Sequence, residues 1–296
     1  MDSLAPFYGG DIAATADLSL PDGYVPYRSC KEYILREASA TARFRLAGRE
    51  GAWGFGWSHG PANFERFFAD EQPPRDRSRP LRVTIWQRLT RQDVPRGWLR
   101  MPEDMGIRMT GFAELGPGDP ERQWSAHARR HAAKWRKLAA SGAREAVPLT
   151  ADDYLSAYAK ADQDPFIKLA YPGIIRTLAK AHGDRLRFIG SRRAGGQVDA
   201  GFAFLHVPEA THSLHVSAFI AGDAKGDSAA TGLIARWFDE CRTAGVRFLD
   251  FGFFWAPGDP RDWKGFSRFK AQFGVRLLRY PRPLLRISGS WSGRGA

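Results

Sequence analysis

Three apolar runs, LRFIGS (186–191), VDAGFAFLH (198–206) and HSLHVSAFI (212–220), are separated only by the short stretches that hold AGGQ (194–197) and PEAT (208–211). Links this short leave no room for a crossover, so the three strands pair antiparallel as consecutive hairpins. The next segment breaks that pattern. A helix over about 228–244, apolar at Leu233, Ile234, Trp237, Phe238 and Cys241, stands before a fourth strand, VRFLDFGFF (246–254). A strand–helix–strand unit returns its second strand parallel. Residues 186–254 are therefore bound to a mixed sheet with at least one helical crossover.

The neighbouring segments extend the same layout. EAVPL (145–149) reads as a short strand. Thr150 opens a capping box, T-A-D-D, with Asp153 in the place usually held by Glu, and a helix runs to about 162. A second helix, 166–182, is apolar at Ile167, Leu169, Ile174, Ile175 and Leu178. After 254 the pattern predicts a helix over 262–273, then strands VRLLRY (275–280) and PLLRI (283–287) that finish the sheet. Upstream, RFRLAGREGAWGFGW (43–57) predicts two short strands about a turn, and NFERFFADE (63–71) a short helix. LRVTIWQRL (81–89) alternates as a strand should, and GIRMTGFAEL (106–115) predicts another. A long basic helix is expected from Asp119 and Pro120 to a stop at Gly142. Residues 1–30, rich in Gly, Pro, Ala and Asp, read as irregular.

Composition narrows the partners. Hydrophobic residues make up 43% of the 296, enough to bury a core and exclude wholesale disorder. The net charge of +12 favours partners that carry phosphate or carboxylate, although an Arg-rich composition alone would give the same balance. Two cysteines, Cys30 and Cys241, form no CxxC and no zinc spacing. His127 and His131 have a metal-compatible spacing, but no Glu completes an HExxH pattern, so no metal is expected. The N-terminus has no secretory pattern and no run of about 18 apolar residues occurs, so the expectation is a cytoplasmic protein.

Two local sequences carry chemistry. Gly245–Gly252, GVRFLDFG, is followed after the irregular loop WAPGDPRDW (255–263) by Gly265–Gly274, GFSRFKAQFG. Upstream, TGFAEL (110–115) precedes a Trp- and Arg-rich helix that ends in ASG (140–142). This arrangement resembles the Fem-type (FemABX) aminoacyltransferases and their GNAT relatives, whose members show G-x-x-x-(L/F)-D-F-G followed by G-x-x-x-F-K-x-x-F-G. The resemblance covers about 106–287 and is strongest in the second half. D-F-G alone also marks kinases, but no Gly-rich loop and no HRD segment accompany it here.

The resemblance implies an α/β (α+β) fold: a GNAT-like mixed sheet flanked by helices, in tandem lobes of which the first is short. On it the chain divides into an N-terminal lobe (1–118), a connecting basic helix (119–144), an acyltransferase domain (145–288) and a disordered tail (289–296). It also implies transfer of an aminoacyl group from aminoacyl-tRNA, with no further cofactor, to a primary amine such as that of a peptidoglycan-precursor peptide. Two other readings stay open. One is an acyl-CoA-dependent N-acyltransferase, although AGDAKGDSAATGLI (221–234) lacks the Q/R-x-x-G-x-G/A spacing of a pyrophosphate loop. The other is a basic, non-catalytic module that binds tRNA or another nucleic acid.

By resemblance Lys270 is the lysine beside the reacting carbonyl, where a cation would stabilise the oxyanion. Without the motif, a lysine that packs its stem on phenylalanines and sends its ammonium to water explains the same pattern. Asp250 either accepts a proton from the attacking ammonium or holds a turn through backbone N–H groups. Trp255 and Trp263, with Arg268 and Phe269 of the motif, are the candidate substrate contacts; the tryptophans could equally tuck their loop onto the core. Arg129, Arg130, Lys134 and Lys137 form a candidate phosphate-facing stripe, or simply a solvated face. His206, His212 and His215, on or beside the hairpin strands, receive no role.

Overall fold

The computed structural model describes residues 108–161, 165–207, 211–259, 261–282 and 284–288, together with residues 8, 12–14, 21, 24, 42–46, 49–58, 81–88, 94 and 96–100. The expected helix at 63–71 and the tail at 289–296 lie outside the described residues. By packing, the chain divides into two compact units: residues 1–110, 253–264 and 277–296 form one, and residues 111–252 and 265–276 the other.

In chain order the strands of the first part are β1 (Ile12–Ala14), β2 (Ala42–Leu46), β3 (Arg49–Ser58), β4 (Leu81–Arg88) and β5 (Leu99–Arg100). Then come β6 (Met109–Glu114), α1 (Ala126–Ala140), β7 (Arg144–Leu149), α2 (Ala151–Lys160), α3 (Pro165–His182), β8 (Leu186–Arg193), β9 (Val198–Val207) and β10 (His212–Ile220). The chain continues with α4 (Ala229–Thr243), β11 (Phe248–Phe253), α5 (Trp263–Ala271), β12 (Arg276–Arg279) and β13 (Leu284–Ser288).

In the first unit β2 and β3 form the expected antiparallel hairpin, with Leu46 opposite Arg49. β4 runs parallel to β3, and β13 closes against β4 and β5, antiparallel to both. The expectation that 283–287 would finish the sheet of the second half is therefore corrected: that strand belongs to a five-stranded sheet ordered β2-β3-β4-β13-β5. Its alternation is satisfied by either sheet, and only the long-range partner decides between them.

The second unit is built on the order β6-β11-β10-β9-β8-β7. β7 to β10 pair antiparallel in sequence, and β10 and β11 pair parallel across α4, as the hairpin–crossover pattern requires. One face of the sheet carries Phe202, Phe204 and Phe251 against Trp237 of α4, at ring distances of 5.0, 6.1 and 5.1 Å. The other face carries Phe188 and Phe219 against Tyr154 of α2, at 5.1 and 5.3 Å. The Thr150–Asp153 capping box starts α2 as the sequence indicates.

The long helix expected from 120 is interrupted. Asp119 caps only a short 3-10 turn, Pro120–Gln123, and the chain is extended at Trp124. Trp124 is drawn into the core between Phe238 and Phe273, at 5.1 and 5.0 Å. Ser125 then caps α1 by accepting from Ala128 N–H. Burying one indole is worth more than two further helical residues.

A buried arginine ties the strand ends to the loop before α4. Arg144, 1% exposed, donates to both oxygens of Asp199 at 2.8 Å, to Asp227 at 2.9 Å and to Ser191 at 3.0 Å. Bidentate pairing of this kind offsets the cost of removing the guanidinium from water. Nearby, α1 lies so close to α4 that a Cβ on Gly232 would meet the Trp135 ring at 2.1 Å. Gly232→Ala is expected to destabilise the protein by about 1–3 kcal/mol through overpacking, read as a lower urea midpoint at unchanged slope.

Candidate functional site

The site begins where two parallel strands part. The β10–β11 ladder pairs His212 with Phe248, Ser213 with Leu249 and Leu214 with Asp250, and ends there. β10 nevertheless stays paired with β9 as far as Ile220. Two local features separate the strands. In β10 the register against β9 shifts between His215 and Ser217, a bulge that bends the strand. In β11 Gly252 takes φ +69, and Asp250 Oδ1 accepts its N–H at 2.7 Å. A left-handed residue two positions after a capping carboxylate turns the strand, and only glycine does so without strain.

The parting leaves the Phe251 carbonyl without a partner strand on the β10 side. Lys270 of α5 fills the position: its Nζ donates to that oxygen at 2.7 Å. The stem of Lys270 is half-buried, while burial of the ammonium end lowers its pKa to about 7 despite the opposing pull of Asp250. Asp250 itself is fully buried. Lys270 therefore does not send its charge into open solvent along a phenylalanine face. Phe273 is in the core at 1% exposure, Phe269 is half-buried and packs edge-on to Phe273, and Phe266 is 37% exposed with its ring 5.1 Å from Lys270 Nζ. Arg268 is exposed.

His215 joins this group, although its sequence context carries no sign of it. Its ring stacks on Phe202 at 4.9 Å and 24°. It faces the same Phe251 carbonyl, and burial together with the Lys270 charge holds its pKa well below the usual histidine range. Its Nε2 is buried and has no hydrogen-bond partner among the described residues. The other two strand histidines are elsewhere: His212 is fully buried with its ring 4.9 Å from Phe248, and His206 lies edge-on to Phe204.

The remaining candidates fall in different places. Trp255 and Trp263 belong to the first unit. There Trp255 Nε1 donates to the Asp259 carbonyl at 3.0 Å, Lys264 Nζ lies 4.3 Å from the Trp255 ring, and Trp263 stacks on Phe253. Arg108 pairs with Asp259 at 2.7 Å and holds the same loop. On α1, Arg129, Arg130, Lys134 and Lys137 are all exposed. Arg129 bonds back to the Trp124 carbonyl, and Lys134 donates to the Gly226 carbonyl at 2.7 Å. His127 and His131 have their rings 4.3 Å apart, with Nδ1 of each already bonded, to Gln272 and Ser228 respectively. No group of three or more His, Cys, Asp or Glu is set to hold a metal ion among the described residues. Cys241 is buried, and desolvation pushes its thiol up to about 12, so it is no nucleophile near neutrality.

Lys270 also has a stability signature. A lysine with a folded pKa of about 7 and an ordinary value of 10.5 holds its proton more tightly in the unfolded chain. Unfolding then takes up a proton between those values, so raising the pH through that window stabilises the fold. In Lys270→Met this rise is absent. The difference in unfolding free energy between wild type and variant should move in favour of wild type from pH 7 to pH 10, measured by urea denaturation. A constant difference would place the ammonium in solvent.

No family model and no curated protein matches this sequence. Solved structures do. FemX superposes with a TM-score of 0.59 at 9% identity, over 83% of this chain and 83% of that one. L-PGS from Bacillus licheniformis gives 0.46 at 10% identity, over 88% and 91%. A tandem GNAT protein from the clavulanic acid biosynthesis pathway gives 0.42 at 12%, over 76% and 68%. The chain thus has the mixed-sheet, GNAT-like fold seen in FemX, in agreement with the fold its two glycine-bounded motifs imply.

Proposed function

We propose that this protein is an N-acyltransferase of the Fem type, which moves an aminoacyl group from tRNA to a primary amine of a small molecule or peptide. The observation that carries the reading is the Lys270 ammonium, enclosed at the parting of β10 and β11 and bonded to a backbone carbonyl. A carbonyl oxygen there is what a reacting ester would present. As the amine adds, charge develops on the ester oxygen, and a fixed cation in a water-poor site stabilises it more than water would. Asp250 keeps the site neutral overall and holds the turn at Gly252. The rest of the rate would come from holding the amine and ester together.

Two features favour tRNA over acyl-CoA as the donor. Acyl-CoA would need the segment before α4 as a pyrophosphate cradle, yet Asp227 lies there beside the N-cap Ser228. Its carboxylate already engages Arg144 and Arg193, at 2.9 and 3.1 Å. Negative charge at a helix N-terminus opposes a second anion. On α1, the exposed Arg130, Lys134 and Lys137 recur at i, i+4 and i+7 and suit a phosphate backbone. A peptide amine such as that of a peptidoglycan precursor fits the acceptor role.

The test offers labelled aminoacyl-tRNA and labelled acetyl-CoA separately to wild type and Lys270→Ala with a panel of amine acceptors. Transfer from tRNA is expected, reduced about 10²–10³-fold in the variant. In wild type the rate should fall as pH rises through about 7, where Lys270 loses its proton. Transfer from acetyl-CoA alone would assign the chain to the CoA-dependent class. Salt-sensitive tRNA binding with no transfer would make it a binding module.

A further inference from the structure

We infer that His215 is the proton acceptor of the transfer centre, taking the proton of the attacking amine on Nε2 while Lys270 holds the oxyanion. The inference rests on the acyltransferase reading above.

The geometry begins with the bulge. Ser213 receives a hydrogen bond from Trp237 Nε1 at 2.8 Å, and His215 stacks on Phe202, which also packs on Trp237. Both side chains are therefore on the α4 face. Phe219 packs on Tyr154, and Ser217, two residues before it in the regular part of the strand, shares that α2 face. The register shift between His215 and Ser217 exchanges the faces. His215 is thus the last side chain of β10 before the shift, and it sits where β10 has already left β11.

Its protonation state follows from its neighbours. A carbonyl can only accept, so the ring nitrogen that faces the Phe251 oxygen carries the proton. Nε2 is buried and makes no hydrogen bond among the described residues, so it is the nitrogen assigned the lone pair, with the proton on Nδ1. Among the described residues, the charge that acts on the ring is that of Lys270 from α5, with Asp250 from β11 acting on Lys270 in turn; β9 places the Phe202 ring against it. Burial and the Lys270 charge both keep the imidazole neutral at pH 7. A buried, unpartnered nitrogen costs stability unless something in the working complex bonds to it.

The amine nitrogen forms a bond to the ester carbon, and the carbonyl electron pair moves to oxygen beside Lys270. Nε2 takes one proton from the new ammonium. The carbonyl re-forms, the ester C–O bond breaks, and the leaving ribose oxygen takes the proton from Nε2. The products are an amide and a free hydroxyl, and His215 returns to neutral.

The experiment compares wild type, His215→Gln and His215→Ala in single-turnover transfer from aminoacyl-tRNA between pH 5 and 8, each checked for folding by circular dichroism. His215→Gln should lose about 10²–10⁴-fold in rate with unchanged tRNA affinity, and lose the fall in rate at acid pH that wild type shows. Imidazole should restore part of the rate in His215→Ala. Wild-type rate and pH profile in His215→Gln would overturn the inference and leave the acyltransferase reading standing. No transfer by wild type from any donor would overturn that reading itself. Nitrogen NMR of the substrate-free protein gives a further check: Nε2 should be unprotonated at pH 7, and the ring should titrate higher in Lys270→Met. A proton on Nε2, or an unmoved titration, would also overturn the assignment.

Discussion

Two parallel strands cannot both stay paired and present a backbone carbonyl to a ligand. The centre of this protein depends on resolving that conflict by parting β10 from β11 after Leu214 and Asp250. Each strand gives way by its own means, one with a bulge and the other with a left-handed glycine held by Asp250. The freed carbonyl of Phe251 then organises what surrounds it. Lys270 reaches it from α5, and His215 faces it from β10. Phe273, about one turn after the start of the FKxxFG motif, anchors α5 against Trp124 and Phe251.

The electrostatics of this group follow from burial more than from pairing. Lys270 has a carboxylate in its neighbourhood and still has a depressed pKa, because its ammonium has lost most of its water. Such a group is costly to a fold, and a chain retains it where its charge is used. The Arg144 cluster shows the opposite solution. There one guanidinium meets two carboxylates and a hydroxyl, and its pKa is raised. One cation is fastened by complementary partners, whereas the other is left responsive.

How much of this could be read from the sequence depends on whether the cause was local. The capping box at Thr150 and the hairpin series are local, and both are where the sequence indicates. The glycines of GVRFLDFG and GFSRFKAQFG are legible because Gly252 and Gly274 both need a positive φ that few other residues tolerate. The break at Trp124 was not legible: the stretch from Pro120 has ordinary helical character, and it is the distant pair Phe238 and Phe273 that draws the indole inward. β13 pairs with a strand about 200 residues earlier in the chain, Ile287 with Val83 for instance, and no local pattern specifies that. His215 escaped for a related reason. Strict alternation along HSLHVSAFI would set His215 and Ser217 on one face, and the bulge puts them on opposite ones.

That bulge acts on the pleat as a frameshift acts on a reading frame. Val216 is the extra letter, and everything after it is read on the other side of the sheet. Drawing Val216 into the ladder would not merely straighten a strand. It would turn Phe219 from the tyrosines of α2 toward α4, and it would return to the ladder the stretch of backbone whose departure opens the centre. One residue thus sets both the polarity of the second half of β10 and the gap beside it, so the core and the reactive centre cannot change independently at this point.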